Sequence, residues 1–418
     1  MAAFRPLPVT PPLTERSVRM PFALPIGVWI VIGAYGALLV WLTLRIPFPT
    51  RIDELQHYSV IRAQYEQATL FPDWSRYLLL RQDDLSRWSP YHNYINHPSL
   101  YYLLLAPLMG ISGDPLLFRL ANVLLSTLAL LVTVIAVRRC MPADTVSPTL
   151  FALIAASFPK GAVVGGLINN DNLAALAAAV VFAGVVGMPA AGWWVMIGLA
   201  VAGWTKLTAL LGLAATLFAW LGLRLIRRDI ALTDPLFAFA GLGVAIGLIP
   251  YAVNLAETGQ VLWVNKAVWW VPVAERAHYD MVQFASYFGR TLLWKWPADE
   301  GFYTLRVIAA GLLAMLGVAG FGLRRVAVRP IALAYMAGLI ILMAIHFTFG
   351  WRSFQTMGDL TIAQTRYYNV LWPGIALAAS TGIGVIARHW RPAPYALAML
   401  FLAPTLVELI IHAMVVAM

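Results

Sequence analysis

The sequence contains many apolar runs of roughly 20 residues, each long enough to cross the hydrocarbon core of a bilayer as a helix. Only 11% of its 418 residues are charged, whereas soluble domains carry about 25%. In lipid the backbone polar groups must be paired within each segment, which leaves the helix as the natural form of such runs. The chain is therefore predicted to be an all-α polytopic membrane protein.

Run length places about 11 transmembrane helices. They fall near residues 22–44, 115–137, 148–167, 173–187, 192–204, 207–226, 235–253, 304–323, 330–348, 367–387 and 394–416. The first run ends in "LRIPFPTR" and not in a small-residue cleavage site, so we expect it to be retained as a helix.

Basic residues indicate how these helices are oriented. Much of the net charge of +10 lies in short clusters at helix ends, such as "VRRC", "LRLIRR", "GLRRVAVR" and "ARHWR". This distribution is typical of cytoplasmic loops and argues against a nucleic-acid partner. All the clusters face the cytoplasm if the short apolar stretch 98–111 lies flat at the interface, and they face outward if it crosses. We take the first option, which places segments 45–96 and 254–303 outside.

The first outer segment contains "RIDELQHYSVIRAQYEQ" at 51–67, a predicted interfacial helix. Asp53, His57 and Gln64 share one face of it. The carboxylate of Asp53 is either a helix N-cap or a general base for an attacking hydroxyl. Glu54 either shares that role or pairs with an arginine. For His57 three roles stay open, namely orienting Asp53, ligating a metal or neither.

Other polar groups lie at the predicted outer ends of helices. In "NHPSLYY", Asn96 or His97 is expected to cap a helix that starts at Pro98, and the helix N-terminus suits a phosphate. In "INNDNLAAL", Asn170 and Asp171 are either helix caps or site residues. Lys206 and the pair Arg366–Tyr367 are either interface anchors or phosphate ligands.

Five motifs follow one another along the chain, namely an acidic pair after the first helix, a flat "HPSLYY" helix, an asparagine–aspartate turn, "TKLTALL" and "QTRYYNVLWPG". In this order they resemble the GT-C superfamily of membrane glycosyltransferases, in the branch that includes protein O-mannosyltransferases and the aminoarabinose transferase of lipid A. The resemblance covers roughly residues 20–230, and the C-terminal third only through the last motif. Pro98–Ser99 replaces the Pro-Pro of the family, and Thr365 replaces the glycine before Arg366–Tyr367. His97 stands where the aminoarabinose enzyme has a phosphate-binding lysine.

The resemblance implies an inverting transferase that uses a polyprenyl-phosphate-linked sugar at the outer face of a bacterial inner membrane. Its implied residues are Asp53 and Glu54 for catalysis, Asp171, Asn170 and His57 for the acceptor, and Lys206, His97, Arg366 and Tyr367 for the donor phosphate. No cofactor and no metal site is indicated, although a divalent-cation requirement stays open. The acceptor is a glycan, a lipid or a protein.

Residues 1–230, including the interfacial loop 45–114, are predicted to form the GT-C module. Residues 231–418, with the outer loop 254–303, are predicted to form a variable one. Two alternatives remain, a lipid-linked-sugar transporter and a non-catalytic subunit of a glycosylation complex. A transporter would need polar groups inside the spans, and Glu408 and His412 are the main ones there.

Overall fold

The computed structural model describes residues 24–50, 53–140, 148–158, 161–262, 280–293, 315–357, 364–400 and 402. The α-helices are α1 (Ile26–Arg45), α2 (Glu54–Gln67), α3 (Leu100–Leu105), α4 (Pro115–Cys140), α5 (Pro148–Ala156), α6 (Gly161–Gly165), α7 (Asp171–Val185), α8 (Ala191–Gly203), α9 (Leu207–Ile226), α10 (Pro235–Thr258), α11 (Met281–Leu293), α12 (Arg329–Met357) and α13 (Trp372–Ala387). Short 3-10 turns lie at Trp74–Arg76, Ala106–Gly110 and Thr365–Leu371.

Six helical segments of the described chain are long and apolar enough to cross a membrane. They are Ile26–Arg45, Pro115–Arg138, Leu207–Ile226, Pro235–Thr258, Arg329–Gln355 and Thr365–Ala387. Helices α7 and α8 are apolar but shorter, with 15 and 13 residues. The predicted polytopic helical architecture is thereby confirmed.

One predicted span is wrong as a single helix. The run 148–167 is divided into α5 and α6, and the backbone leaves the helical conformation at 157–158. Pro159 explains the end of α5, since the residue before a proline is disfavoured in the helical region. The predicted spans 304–323 and 394–416 lie partly outside the described residues, as do Glu408, His412 and most of 254–303.

The polar segment between α1 and α4 folds into a small layer beside the helix bundle. The predicted helix in 51–67 is confirmed as α2. The chain then forms an antiparallel pair of strands, β1 (Leu78–Leu80) and β2 (Trp88–His92), which the all-α prediction did not contain. Helix α3 and the 3-10 turn after it are together about 19 Å long, so they are too short to cross a hydrocarbon core of roughly 30 Å.

Small residues allow the bundle helices to approach closely. A Cβ atom at Gly203 would lie 2.3 Å from the carbonyl oxygen of Gly247, so α8 and α10 are in backbone contact there. Such small-residue contacts are typical of helix packing in membranes. Helix α9 also packs along α12, where a Cβ atom at Gly338 would lie 2.0 Å from Thr216 Oγ1.

The division of the chain into two modules at residue 230 stays a prediction.

Candidate active site

Four charged side chains from distant parts of the sequence form one alternating chain of contacts. Arg366 Nη2 donates to Asp53 Oδ2 at 2.5 Å, and Lys206 Nζ donates to Asp171 Oδ1 at 2.5 Å. Arg366 Nε lies 3.5 Å from Asp171 Oδ2 and joins the two pairs. We call Asp53, Asp171, Lys206 and Arg366 the charged cluster. The sequence predicted each residue as a candidate, and the structure brings all four together.

Asp53 is held at the start of α2 but does not cap the helix. Its backbone has a φ of 57°, the left-handed region, and its side chain accepts no hydrogen bond from the first turn. The carboxylate instead accepts hydrogen bonds from Arg366 and from the Tyr94 hydroxyl. An unusual backbone conformation whose side chain is directed at a charged cluster is typical of functional sites.

Electrostatics keep Asp53 ionised. Burial raises the pKa of its carboxyl group, but the charge of Arg366 and the hydrogen bonds from Tyr94 and Arg366 outweigh burial, so the pKa lies well below its ordinary value. While the contact with Arg366 persists, Asp53 is therefore a weak base.

His57 and His97 lie beside the cluster as a stacked pair, with ring centroids 6.1 Å apart. His57 Nδ1 is hydrogen-bonded to the Tyr102 hydroxyl at 3.0 Å. Burial lowers the pKa of His57 to about 3, and burial with the nearby Lys206 charge holds the pKa of His97 well below its usual range. Both imidazoles are therefore neutral at neutral pH. His97 can offer a phosphate a hydrogen bond but not the charge of a lysine.

Lys206 is buried and paired with Asp171, whereas the anchor interpretation required an exposed ammonium group. Its ammonium lies 4.2 Å from the centre of the Tyr367 ring, over which the Arg366 guanidinium also lies at 5.5 Å. Burial lowers the pKa of Lys206, while the ion pair with Asp171 opposes that shift. Tyr367 is thus an aromatic contact shared by both cations.

The cluster leaves polar atoms without partners inside the protein. Arg366 Nε and Nη1, Asp171 Oδ2, Asn169 Nδ2 and Asn170 Oδ1 are buried and have no hydrogen-bond partner within the described chain. Unpaired buried groups of this kind are rare and are expected where a ligand completes the pairing. The Nη1 group of Arg366 in particular suits an anionic oxygen.

Neither Asn170 nor Asp171 caps α7 in the predicted way. The amide oxygen of Asn169 accepts the backbone N–H of Asp171 at 2.9 Å, and the side chain of Asn170 donates to the Thr205 carbonyl at 3.1 Å. This contact ties the asparagine turn to the residue that precedes Lys206. Similarly, the predicted cap at Asn96 or His97 is wrong, because the helix starts at Leu100, two residues after Pro98.

Glu54 points into the protein rather than toward the cluster. Its two carboxylate oxygens accept hydrogen bonds from Arg119 Nε and Nη2, each at 2.7 Å. They also accept the backbone N–H groups of Thr50 at 3.0 Å and Ile168 at 3.2 Å. Of the two interpretations of Glu54, pairing with an arginine is the one that this geometry favours.

Arg119 uses its remaining donors to fasten the end of α1. It donates to the backbone carbonyls of Thr43 at 3.0 Å, Ile46 at 2.6 Å and Pro47 at 3.2 Å. Together with Glu54, it connects α1, α2, α4 and the residues before α7. The pair therefore fixes the backbone immediately next to Asp53.

Sequence reasoning missed Tyr94, Tyr102 and Arg119. Arg119 had a signal, since it is a lone charge in the apolar run of α4 and such charges are rarely without a function. Tyr94 and Tyr102 belong to a tyrosine-rich stretch whose individual members cannot be ranked by pattern. Among the described residues, no group of three or more His, Cys, Asp or Glu side chains could hold a metal ion, and the metal prediction stays untested.

The helix arrangement defines the class of fold, which is the GT-C fold. A solved structure with this fold is that of ArnT from Cupriavidus metallidurans bound to undecaprenyl phosphate. It matches with a TM-score of 0.52 and 16% sequence identity, over 88% of this chain and 62% of the ArnT chain. At this identity the likeness concerns the fold. The sequence matches no protein-family model and no curated protein.

Proposed function

We propose that the protein is an inner-membrane glycosyltransferase that moves a sugar from a polyprenyl-phosphate donor to an acceptor hydroxyl on the outer side of a bacterial membrane. The observation on which this depends most is the buried Nη1 group of Arg366, which has no hydrogen-bond partner within the described chain, next to the ionised Asp53. Arg366 thus supplies an anion site, and Asp53, which is in contact with it, supplies a proton acceptor. The ArnT structure, solved with undecaprenyl phosphate, supports the donor class.

The donor phosphate is expected to lie against Arg366, with Tyr367 and the neutral His97 beside it. Arg366 Nη1 has no hydrogen-bond partner within the described chain, and Lys206 adds a second positive charge. Because Lys206 is already paired with Asp171, we assign its main role to holding that acid, and secondarily to the phosphate. Cations near the leaving oxygen stabilise the charge that develops as the glycosidic bond breaks.

The reaction is a displacement at the anomeric carbon. The acceptor oxygen forms the new C–O bond, the bond to the phosphate oxygen breaks with its electron pair, and polyprenyl phosphate leaves. Asp53 receives the hydroxyl proton. Its pKa is low while Arg366 contacts it, so a phosphate that engages the guanidinium would raise that pKa and strengthen the base. Asp171, Asn170 and His57 are proposed to orient the acceptor, and Glu54 is proposed to be structural.

The test is transfer from radiolabelled polyprenyl-phosphate sugars in reconstituted membranes. Asp53→Asn should lose transfer by at least about 100-fold, since it removes the proton acceptor and weakens the Arg366 contact. Asp73→Asn is the matched control, because Asp73 is an exposed carboxylate that pairs locally with Arg76. Undiminished transfer by Asp53→Asn, or no transfer by the wild type from any such donor, would contradict the proposal.

A further inference from the structure

A single histidine, His346, lies in the apolar run of α12 between Arg329 and Arg352. This stretch contains no Asp, Glu, Lys, Arg or second His residue. His346 is buried, with 4% exposure. An ionisable ring inside a membrane-spanning helix is unfavourable unless it is paired, and such residues are usually functional. The partner of this histidine therefore indicates its role.

His346 pairs with the 3-10 turn Thr365–Leu371, which carries Arg366 and Tyr367. Its Nδ1 atom is hydrogen-bonded to the Tyr368 hydroxyl at 3.0 Å. The imidazole also packs edgewise on the Tyr368 ring, with ring centroids 5.4 Å apart, and lies 5.5 Å from the centroid of the Tyr367 ring. The histidine thus contacts both of the residues that directly follow Arg366.

Tyr367 connects this histidine to the two cations of the charged cluster. The centre of its ring lies 4.2 Å from Lys206 Nζ and 5.5 Å from the Arg366 guanidinium. The strength of a cation–π contact depends on the position of the ring relative to the cation. A displacement of the Tyr367 ring would therefore weaken its contacts with both cations at once.

The far end of the turn is fixed by contacts of a different kind. A Cβ atom at Gly212 would lie 3.7 Å from Leu371 Cδ2, so α9 packs against the end of the turn. Trp372 Nε1 donates to two backbone carbonyls in the last turn of α5, both at 3.0 Å. These contacts hold the residues that lead into α13, whereas His346 holds the part of the turn next to Arg366.

We propose that His346 is a positioning residue for the donor phosphate site. Its hydrogen bond to Tyr368 holds the turn in the position where Arg366 Nη1 and the Tyr367 ring meet the phosphate. The proposal rests on the proposed function and adds to it a residue that does not touch the donor. A phenol and a neutral imidazole suit this task inside the protein, because they pair without burying a further charge.

The test is the affinity of the full chain in nanodiscs for farnesyl phosphate, measured by isothermal titration without any sugar donor. Farnesol, which lacks the phosphate, is titrated in parallel, and empty nanodiscs are the blank. His346→Leu and His346→Asn are matched variants, because the two side chains are similar in size and only asparagine can pair with the Tyr368 hydroxyl. We expect His346→Leu to bind farnesyl phosphate about tenfold more weakly with unchanged affinity for farnesol, and His346→Asn to retain most of the affinity.

A second pair of variants removes a hydroxyl and keeps the ring. Tyr368→Phe should weaken farnesyl phosphate binding as much as His346→Leu does. Tyr335→Phe is the control and should bind like the wild type, because the buried Tyr335 hydroxyl on the same helix has no hydrogen-bond partner within the described chain. Affinities are expressed per folded protein, with the folded fraction taken from tryptophan fluorescence. A merely structural role would lower that fraction and leave the affinity unchanged.

Three results would overturn the positioning role. They are equal farnesyl phosphate affinity in the wild type, His346→Leu and Tyr368→Phe, equal losses in His346→Leu and His346→Asn, and a parallel loss of farnesol binding. Sugar transfer is measured separately. Transfer by the wild type together with unchanged variant affinities would refute the positioning role alone. The expected affinities in a wild type that transfers no sugar would refute the glycosyltransferase activity alone.

Discussion

The buried ion pair between Glu54 and Arg119 should be the most sensitive structural element near the site. In Arg119→Met, the Glu54 carboxylate stays buried with only two backbone N–H partners, and three carbonyls lose a charged donor. Removing one partner of a buried pair costs about 3–5 kcal/mol in the free energy of unfolding. We therefore expect a loss of about 4 kcal/mol and, because this pair fixes the backbone next to Asp53, a loss of transfer.

Helix α2, which carries Glu54, also provides a matched control for that measurement. Arg62 and Glu66 form an exposed pair on α2, with 36% and 37% side-chain exposure, at an N–O distance of 2.7 Å. An exposed i,i+4 pair contributes about 0.3–0.5 kcal/mol, so Arg62→Met should have nearly the stability of the wild type. Unfolding is followed by tryptophan fluorescence in mixed micelles with increasing dodecyl sulfate.

A double-mutant cycle then separates the pair from its surroundings. Glu54→Gln together with Arg119→Met removes both charges. The loss in free energy of unfolding of the double variant should therefore be smaller than the sum of the two single losses by at least about 2 kcal/mol. Equal effects of Arg119→Met and Arg62→Met, or additive single losses, would refute the interpretation of Glu54 as half of a structural ion pair.

Three further outcomes follow from the same structure. Arg366→Lys should lower transfer about 100-fold, measured with the polyprenyl donor, because lysine has one nitrogen and cannot contact Asp53 while a second nitrogen binds a phosphate. Near-normal rates would contradict this. Tyr94→Phe removes a hydrogen bond that lowers the Asp53 pKa, so the acid limb of the kcat/KM profile should move to higher pH, and an unmoved limb would exclude Asp53 as the titrating base. Gly203→Ala should destabilise the protein by about 1–3 kcal/mol through its clash with α10, whereas Gly241→Ala, with open space around it, should not.

Much of the fold was accessible from sequence because the bilayer imposes length and polarity on every span. The bounds of α1, α4, α8 and α9 agree with the predicted runs to within a few residues. The break between α5 and α6 was missed although Pro159 was a visible signal. The small sheet was missed as well, because three- and five-residue strands give too weak a pattern in a polar loop.

The sequence predicted individual residues of the candidate site but not how they are paired. The pattern singled out Asp53, Asp171, Lys206 and Arg366 because ionisable groups are scarce in apolar sequence. The family resemblance then assigned Asp53 to catalysis, Asp171 to the acceptor, and Lys206 and Arg366 to the donor phosphate, as separate sets. The structure instead pairs each acid with a cation. Their spatial order could not be read from spacing, since Arg366 and Asp53 lie 313 positions apart.

The sequence by itself determined that the chain enters a membrane as helices, and which few polar residues it keeps at their ends. Both follow from local rules, namely the length of an apolar run and the unfavourable burial of a lone charge. Only the tertiary structure decided that Glu54 turns inward to Arg119 while its neighbour Asp53 turns to Arg366. A left-handed backbone at Asp53 and the packing of α2 against α4 and the asparagine turn direct the two adjacent carboxylates to different partners.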